Sequence, residues 1–196
     1  TRNIASTYIG AEAAERILDG KIQRGAVDAI HAAILFMDLR GFTGVSDRTP
    51  RDELVPMLDD YLECMVVPVA EHGGQVLKFL GDGLLATFDL KGREEDFICH
   101  DALEAAVKAL TMTRVLNETR AAAGKPVMAL DTALHLGDVL YGNVGAGDRL
   151  DFTVIGPAVN EASRIEALAD QLDTHFLVSE TFARAATQCA PHLRSL

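Results

Sequence analysis

The sequence has 196 residues, of which 48% are hydrophobic and 24% charged. That composition fits one globular domain or slightly more; it excludes a disordered or collagen-like chain, and no apolar run reaches the roughly 18–20 residues that span a bilayer. Twenty-nine acids against eighteen bases leave a net charge of −11, so the surface as a whole repels nucleic-acid polymers, and an anionic small substrate would need local cations or metal ions.

Residues 1–29 read as a helical lead-in, because Ala11, Ala14, Ile17 and Leu18 recur at helical spacing before Gly20 and Gly25 interrupt them. Such a segment is either a helix packed on the domain or a linker from an upstream sensor. It carries charges throughout, unlike a secretory signal, and the chain opens on Thr1, so a piece of a longer protein is expected. The domain proper is expected over 30–196. Its first element is a buried strand over 31–37, HAAILFM, ending at Asp38. Thr49-Pro50-Arg51-Asp52 predicts a helix start with Thr49 as N-cap and Pro50 in the first helical position. Leu54, Leu58, Tyr61, Leu62, Met65 and Val69 share one helical face; Pro68 predicts a late kink, and Gly73-Gly74 the end.

Two short apolar stretches, 75–80 and 84–88, flank Gly81-Asp82-Gly83 and predict a hairpin with Asp-Gly in the turn. Beyond the polar loop 89–96, a helix is predicted over 97–122 and a strand over 127–136. A second hairpin follows from 139–144 and 150–154. A third helix over 157–170 opens at Gly156-Pro157, a strand covers 175–178, and 180–190 reads as another helix. The order βαββαβ, with extra elements, predicts an α+β fold: a ferredoxin-like core whose mainly antiparallel sheet carries helices on one face.

Three groups of residues invite chemistry, and each has a plain structural alternative. Asp38 closes a buried strand before a glycine-containing loop, which suits a rigidly held metal ligand or a simple turn cap. Lys78 interrupts an apolar strand, where a lysine needs a partner, a ligand or a solvent-facing position; Asp82 occupies the turn that follows. Asn160 and Arg164 are four apart on one helix, and an amide beside a guanidinium suits a ribose and a phosphate, or a surface pair with Glu161 or Glu166. GxxxxGK[ST], HExxH and GxSxG are missing, and the six histidines are dispersed.

FMDLRGFT (36–43), GGQVLKFLGDGLLATF (73–88) and FTVIGPAVNEASRIE (152–166) together resemble the three signature blocks of the class III nucleotidyl cyclase catalytic domain, in order and spacing, across about residues 30–180. The resemblance implies that family's α+β fold and its reaction: attack of a nucleoside triphosphate's 3′-hydroxyl on its own α-phosphorus, expelling pyrophosphate. It implies that Asp38 and Asp82 bind two divalent cations, Mg²⁺ or Mn²⁺, with the carbonyl of Leu39 as a further ligand. The loop amides near Phe42 and Thr43 would meet phosphate oxygens. Lys78 and Thr153 would read the purine, and Asn160 and Arg164 would orient the ribose and stabilise the transition state.

A guanylate-type site in this family typically carries an acid where Lys78 stands and a cysteine where Thr153 stands, so the expected substrate is ATP. Threonine in place of the commoner aspartate at position 153 marks the class IIIb subgroup and suggests sensitivity to inorganic carbon. The family's site is built between two chains; with all its residues in one sequence, a homodimer with shared sites is expected. The chain stops at Leu196, and the closing hairpin that brings a basic residue to the terminal phosphates cannot be assigned in it. A silent nucleotide-binding or dimerisation module, or a guanylate cyclase, are the alternatives; a diguanylate cyclase would need GG[DE]EF where this hairpin reads LGDGLL. Cys64, Cys99 and Cys189 are odd in number and far apart, which fits a cytoplasmic, reducing location for the domain, whether or not its parent protein is membrane-anchored.

Overall fold

The computed structural model describes Ala14 and residues 27–90, 92–146 and 149–186. The lead-in expected over 1–29 lies almost wholly outside the described residues, as does the chain after 186. The elements are β1 (Val27–Arg40), α1 (Phe42–Ser46), α2 (Arg51–Glu71), β2 (Gln75–Phe79), β3 (Leu84–Asp89), α3 (Glu95–Ala122), β4 (Ala129–Ala146), β5 (Arg149–Ile155), α4 (Pro157–Glu166), α5 (Leu168–Gln171), β6 (Phe176–Val178) and α6 (Glu180–Ala185). The sheet runs β2-β3-β1-β4-β5 with every neighbour antiparallel, and β6 adds a short parallel pairing to β4 at Thr132–Leu134. The α+β architecture with helices packed on an antiparallel sheet is as expected.

Two strands are longer than their apolar cores suggested. β1 and β4 pair without interruption from Val27 opposite Gly142 to Arg40 opposite Ala129. β1 therefore runs through Asp38 instead of stopping there. β4 replaces what the sequence presents as two strands broken at Gly137. That glycine is no breaker: a Cβ there would lie 2.8 Å from the Ala158 side chain, so its absence lets α4 approach the sheet.

The helices cover both faces of the sheet, not one. On one side Ala33, Leu35, Met37 and Leu39 of β1 meet Tyr61 and Met65 of α2, the alanines of α3, and Phe182 of α6. On the other side Ile34 and Phe36 of β1, with Val139, Tyr141 and Val154, pack under Ala158 and Ala162 of α4. Successive strand residues point to opposite faces, so a run apolar at every position, as in HAAILFM, needs both faces covered. Asp38 shares its parity with Ile34 and Phe36 and so lies on the α4 side.

Smaller corrections concern the ends of elements. Thr49 is not an N-cap; its hydroxyl donates to the Val45 carbonyl (2.7 Å), and α2 starts at Arg51 behind Pro50. α2 continues as one helix through Pro56 and Pro68 to Glu71. In the β2–β3 turn, Gly81 takes the positive φ of 79°, not Asp82. The third helix divides at Ala167 into α4 and α5. No helix among the described residues is long and apolar enough to cross a membrane.

Candidate active site

Beyond Met37, β1 is paired on its β4 side alone, because the β3 ladder ends at Met37 opposite Leu84. The β2–β3 turn closes over this step. A Cβ on Gly83 would fall 2.2 Å from the Met37 carbonyl oxygen and 2.7 Å from Asp38 Oδ1, so only glycine permits the approach. The turn thereby brings Asp82 to Asp38. Burial first, and then the charges of Asp82, Glu166 and Asp131, raise the Asp38 pKa from its ordinary 3.8 to about 6. A hydrogen bond from the Leu39 N–H offsets part of this. Burial also raises the pKa of Asp82. Glu166, at the end of α4, is raised by burial and then by Asp131.

Asp131 lies opposite Asp38 across the β1–β4 ladder and is almost fully buried. It accepts from Arg40 Nε at 2.8 Å and meets His175 Nδ1 at 2.6 Å, while Arg40 Nη2 donates to the Thr174 carbonyl at 2.7 Å. Arg40 and His175 thus serve Asp131, leaving Asp38 and Asp82 as the adjoining acids in need of a counter-charge. Among the described residues no cage of three or more His, Cys, Asp or Glu side chains is preformed. Mg²⁺ does not ask for one, since it takes one or two carboxylates and completes its shell with water and phosphate oxygens. Two desolvated, mutually repelling carboxylates are a donor set that fits such an ion.

Leu39 is buried in the α2/α3-side core and anchors the backbone beside Asp38. Gly41, with φ 81°, turns the chain into α1; Phe42 packs partly on the core, and Thr43 is exposed.

Lys78 and Thr153 lie on β2 and β5. The β2–β3 register shifts between Val76 and Lys78, a bulge that sets Lys78 opposite Leu85. Lys78 Nζ lies 3.4 Å from Asp151 Oδ2 on β5. Strands β2 and β5 are not sheet neighbours, yet they approach each other here, and the Tyr141 hydroxyl of β4 donates to Gln75 Oε1 nearby (2.7 Å). Thr153, two residues along β5 from Asp151, is buried, and its hydroxyl oxygen is sealed from solvent with no hydrogen-bond partner.

Asn160 and Arg164 stand on the exposed side of α4, a helix held down by Ala158 and Ala162. The Arg164 side chain is 76% exposed and pairs with Glu161 at 3.5 Å, the surface pairing that the sequence also allowed. Within one chain, then, Asp38 meets Asp82, Lys78 meets the strand that carries Thr153, and Arg164 faces outward. Sequence reasoning missed Glu166, Asp131 and Asp151. Asp151 alone had a readable signal, since strand alternation puts it on the same face as Thr153.

The adenylate and guanylate cyclase catalytic domain family matches residues 26–192. An adenylate cyclase of Anabaena cylindrica is 36% identical over 167 residues, covering 83% of this chain and 32% of that protein. Adenylate cyclase 1 of Rhizobium meliloti is 31% identical over 150 residues, covering 74% of this chain and 22% of that one. The chain spans about a third or less of the length of these curated relatives. Among solved structures, the adenylyl cyclase CyaB from P. aeruginosa superposes with a TM-score of 0.74 at 26% identity, covering 83% of each chain. A guanylyl cyclase superposes with a TM-score of 0.71 at 29% identity, covering 82% of this chain and 80% of that one.

Proposed function

The chain belongs to the adenylate and guanylate cyclase catalytic-domain family, and we propose that it is an adenylate cyclase, converting ATP into 3′,5′-cyclic AMP and pyrophosphate within a symmetric homodimer. The observation that carries the choice of ATP is the base-reading pair. Lys78 can only donate, which suits the N1 acceptor of adenine, and the unpartnered Thr153 hydroxyl can accept from the N6 amino group. Adenylate cyclases among the relatives favour the same reading; the guanylyl cyclase structure keeps a guanylate cyclase as the alternative.

In this reading Asp38, Asp82 and the Leu39 carbonyl hold two divalent cations, Mg²⁺ or Mn²⁺. When bound, these supply Lewis-acid assistance and a clamp on the phosphates. Amides near Phe42 and Thr43 meet the phosphate oxygens. Asn160 orients the ribose so that its 3′-oxygen faces the α-phosphorus. As the new O–P bond forms and the bond to the pyrophosphate breaks, Arg164 stabilises the charge on the equatorial oxygens.

The geometry of a single chain supports the homodimer. Arg164 projects outward from α4, and among the described residues no guanidinium pairs with Asp38 or Asp82; a two-fold axis would bring each chain's α4 to the other's acids and make two equal sites. The reading includes a cytoplasmic location, which Cys64 and Cys99, both buried and in no disulfide, support. It also includes an upstream regulatory region, which the greater length of the relatives supports. The test is incubation with ATP and, separately, GTP in the presence of Mg²⁺ or Mn²⁺, with products identified by chromatography. Cyclic AMP in excess over cyclic GMP is expected. Preferred cyclic GMP would establish the guanylate alternative, and no cyclic product from either would leave a silent module.

A further inference from the structure

A third carboxylate stands within a side chain's reach of Asp38. Asp131 lies directly opposite it in the β1–β4 ladder, and residues so paired point to the same face with Cβ atoms about 4.5–5.5 Å apart. Its charge is near enough to contribute to the raised pKa of Asp38. Yet among the described residues no three such ligands converge.

Both oxygens of Asp131 are engaged elsewhere. Oδ2 accepts from Arg40 Nε at 2.8 Å, and Oδ1 lies 2.6 Å from His175 Nδ1. Arg40 reaches Asp131 on the diagonal, since its own partner across the ladder is Ala129. The guanidinium is fixed at its far end as well, where Nη2 donates to the Thr174 carbonyl at 2.7 Å. His175 is anchored in turn: its carbonyl accepts from the Thr132 N–H at 2.9 Å and from the Thr132 hydroxyl at 3.1 Å. β1, β4 and the segment between α5 and β6 thus fix the orientation of one carboxylate.

The number of carboxylates bears on which cation a site prefers. Mg²⁺ takes one or two and keeps positions for water and phosphate oxygens, whereas Ca²⁺ accepts about six to eight oxygens in flexible geometry and is tuned by the count of charged ligands. A third carboxylate beside Asp38 and Asp82 would favour Ca²⁺ and fill a position that a phosphate oxygen needs. We infer that Arg40 and His175 are positioning residues that set the cation preference of the site: by occupying both oxygens of Asp131 they keep a third carboxylate off the cation, which favours Mg²⁺ over Ca²⁺. The inference rests on the reading of Asp38 and Asp82 as cation ligands and deepens it.

The experiment follows Mn²⁺ binding to the nucleotide-free protein by electron paramagnetic resonance, and its displacement by Ca²⁺ and by Mg²⁺. Loss of the guanidinium charge alone strengthens every divalent cation alike, so the Ca²⁺-over-Mg²⁺ ratio is the readout. Arg40→Met leaves Oδ2 without a donor, and the ratio is expected to rise about tenfold or more. Adding Asp131→Asn to Arg40→Met should cancel the rise, which mere damage to the fold would not do. Arg40→Lys keeps a cationic donor and should stay near the wild type. His175→Ala frees Oδ1 at a half-exposed position and should raise the ratio too, so it carries the test if Arg40→Met does not fold. A ratio unchanged or lowered in the folded variants overturns the inference, while wild-type Mn²⁺ binding that is lost in Asp38→Asn leaves the cation site standing. If the wild type shows no Asp38-dependent binding, the reading of the site fails. A Ca²⁺ site gained in Arg40→Met and lost again with Asp131→Asn still supports the role given to Arg40, and no such gain refutes it.

Discussion

Replacing Asp38 by Asn is expected to make the metal-free protein more stable while abolishing turnover. Folding buries Asp38 beside Asp82 and Glu166 and raises its pKa from 3.8 to about 6. The folded state therefore binds this proton more tightly than the unfolded chain does. The sign follows: Asp38 has no net cost below about pH 4, the wild type loses stability as pH rises toward 6, and the full cost is present above that. A rise from 3.8 to about 6 sets a ceiling of about 3 kcal/mol. The site is open enough for water to screen it, which lowers the realistic figure to about 1–2 kcal/mol. Asparagine carries no charge, so at pH 8 Asp38→Asn should melt about 2–8 °C higher than the wild type, at roughly 2–4 °C per kcal/mol for a chain of this size. At pH 4 the two should nearly coincide. Mn²⁺ should raise the wild-type Tm at pH 8 more than that of the variant. The assay is thermal unfolding from pH 4 to 8, with and without Mn²⁺, beside cyclisation. A variant less stable than the wild type at pH 8, or a gap independent of pH, would refute the argument that Asp38 is held in an electrostatically costly position.

Other predictions follow from single contacts. Gly83→Ala should lose most activity and about 1–3 kcal/mol of stability by the cost of overpacking, because its Cβ would fall 2.2 Å from the Met37 carbonyl oxygen and push the Asp82 turn off Asp38; activity and denaturant unfolding check it. Tyr61→Phe should cost about 1–3 kcal/mol in urea unfolding, since the Tyr61 hydroxyl accepts from the Met128 N–H (3.1 Å) and donates to Asn117 Oδ1 (2.6 Å), leaving both unpaired when it is removed. Asp131→Ala should cost about 1.5–3 kcal/mol by stripping Arg40 and His175 of their shared acid, measured in the same way.

The residues proposed to act were legible because they sit in long sequence blocks on elements the sequence also announces: Asp38 after an apolar run, Asp82 in a glycine turn, and Asn160 and Arg164 behind Gly-Pro. The second helical layer was legible too, though misread, since a strand apolar at every position has no face left for solvent. Gly137 misled because a glycine that admits a neighbouring helix looks the same, in one dimension, as a glycine that ends a strand. Thr49 misled because its hydroxyl satisfied the preceding turn instead of the following helix. Glu166 and Asp131 gave no signal, because their relation to Asp38 depends on a cross-strand register and on where α4 ends against the sheet. Asp151 escaped for a related reason: β2 and β5 are not neighbours in the sheet, so the contact with Lys78 arises only from the way the strands approach in space.

The central claim is that one chain carries both parts of a cyclase site and that a second copy brings them together. Mixing Asp38→Ala with Arg164→Ala, each inactive alone, tests it most directly. Free exchange of equal amounts makes half the dimers mixed, each with one intact site of two, so cyclic AMP formation should recover to about a quarter of the wild-type rate. Recovery near that level supports the shared site. A mixture that stays inactive, while native mass spectrometry shows that the subunits have exchanged, would contradict it.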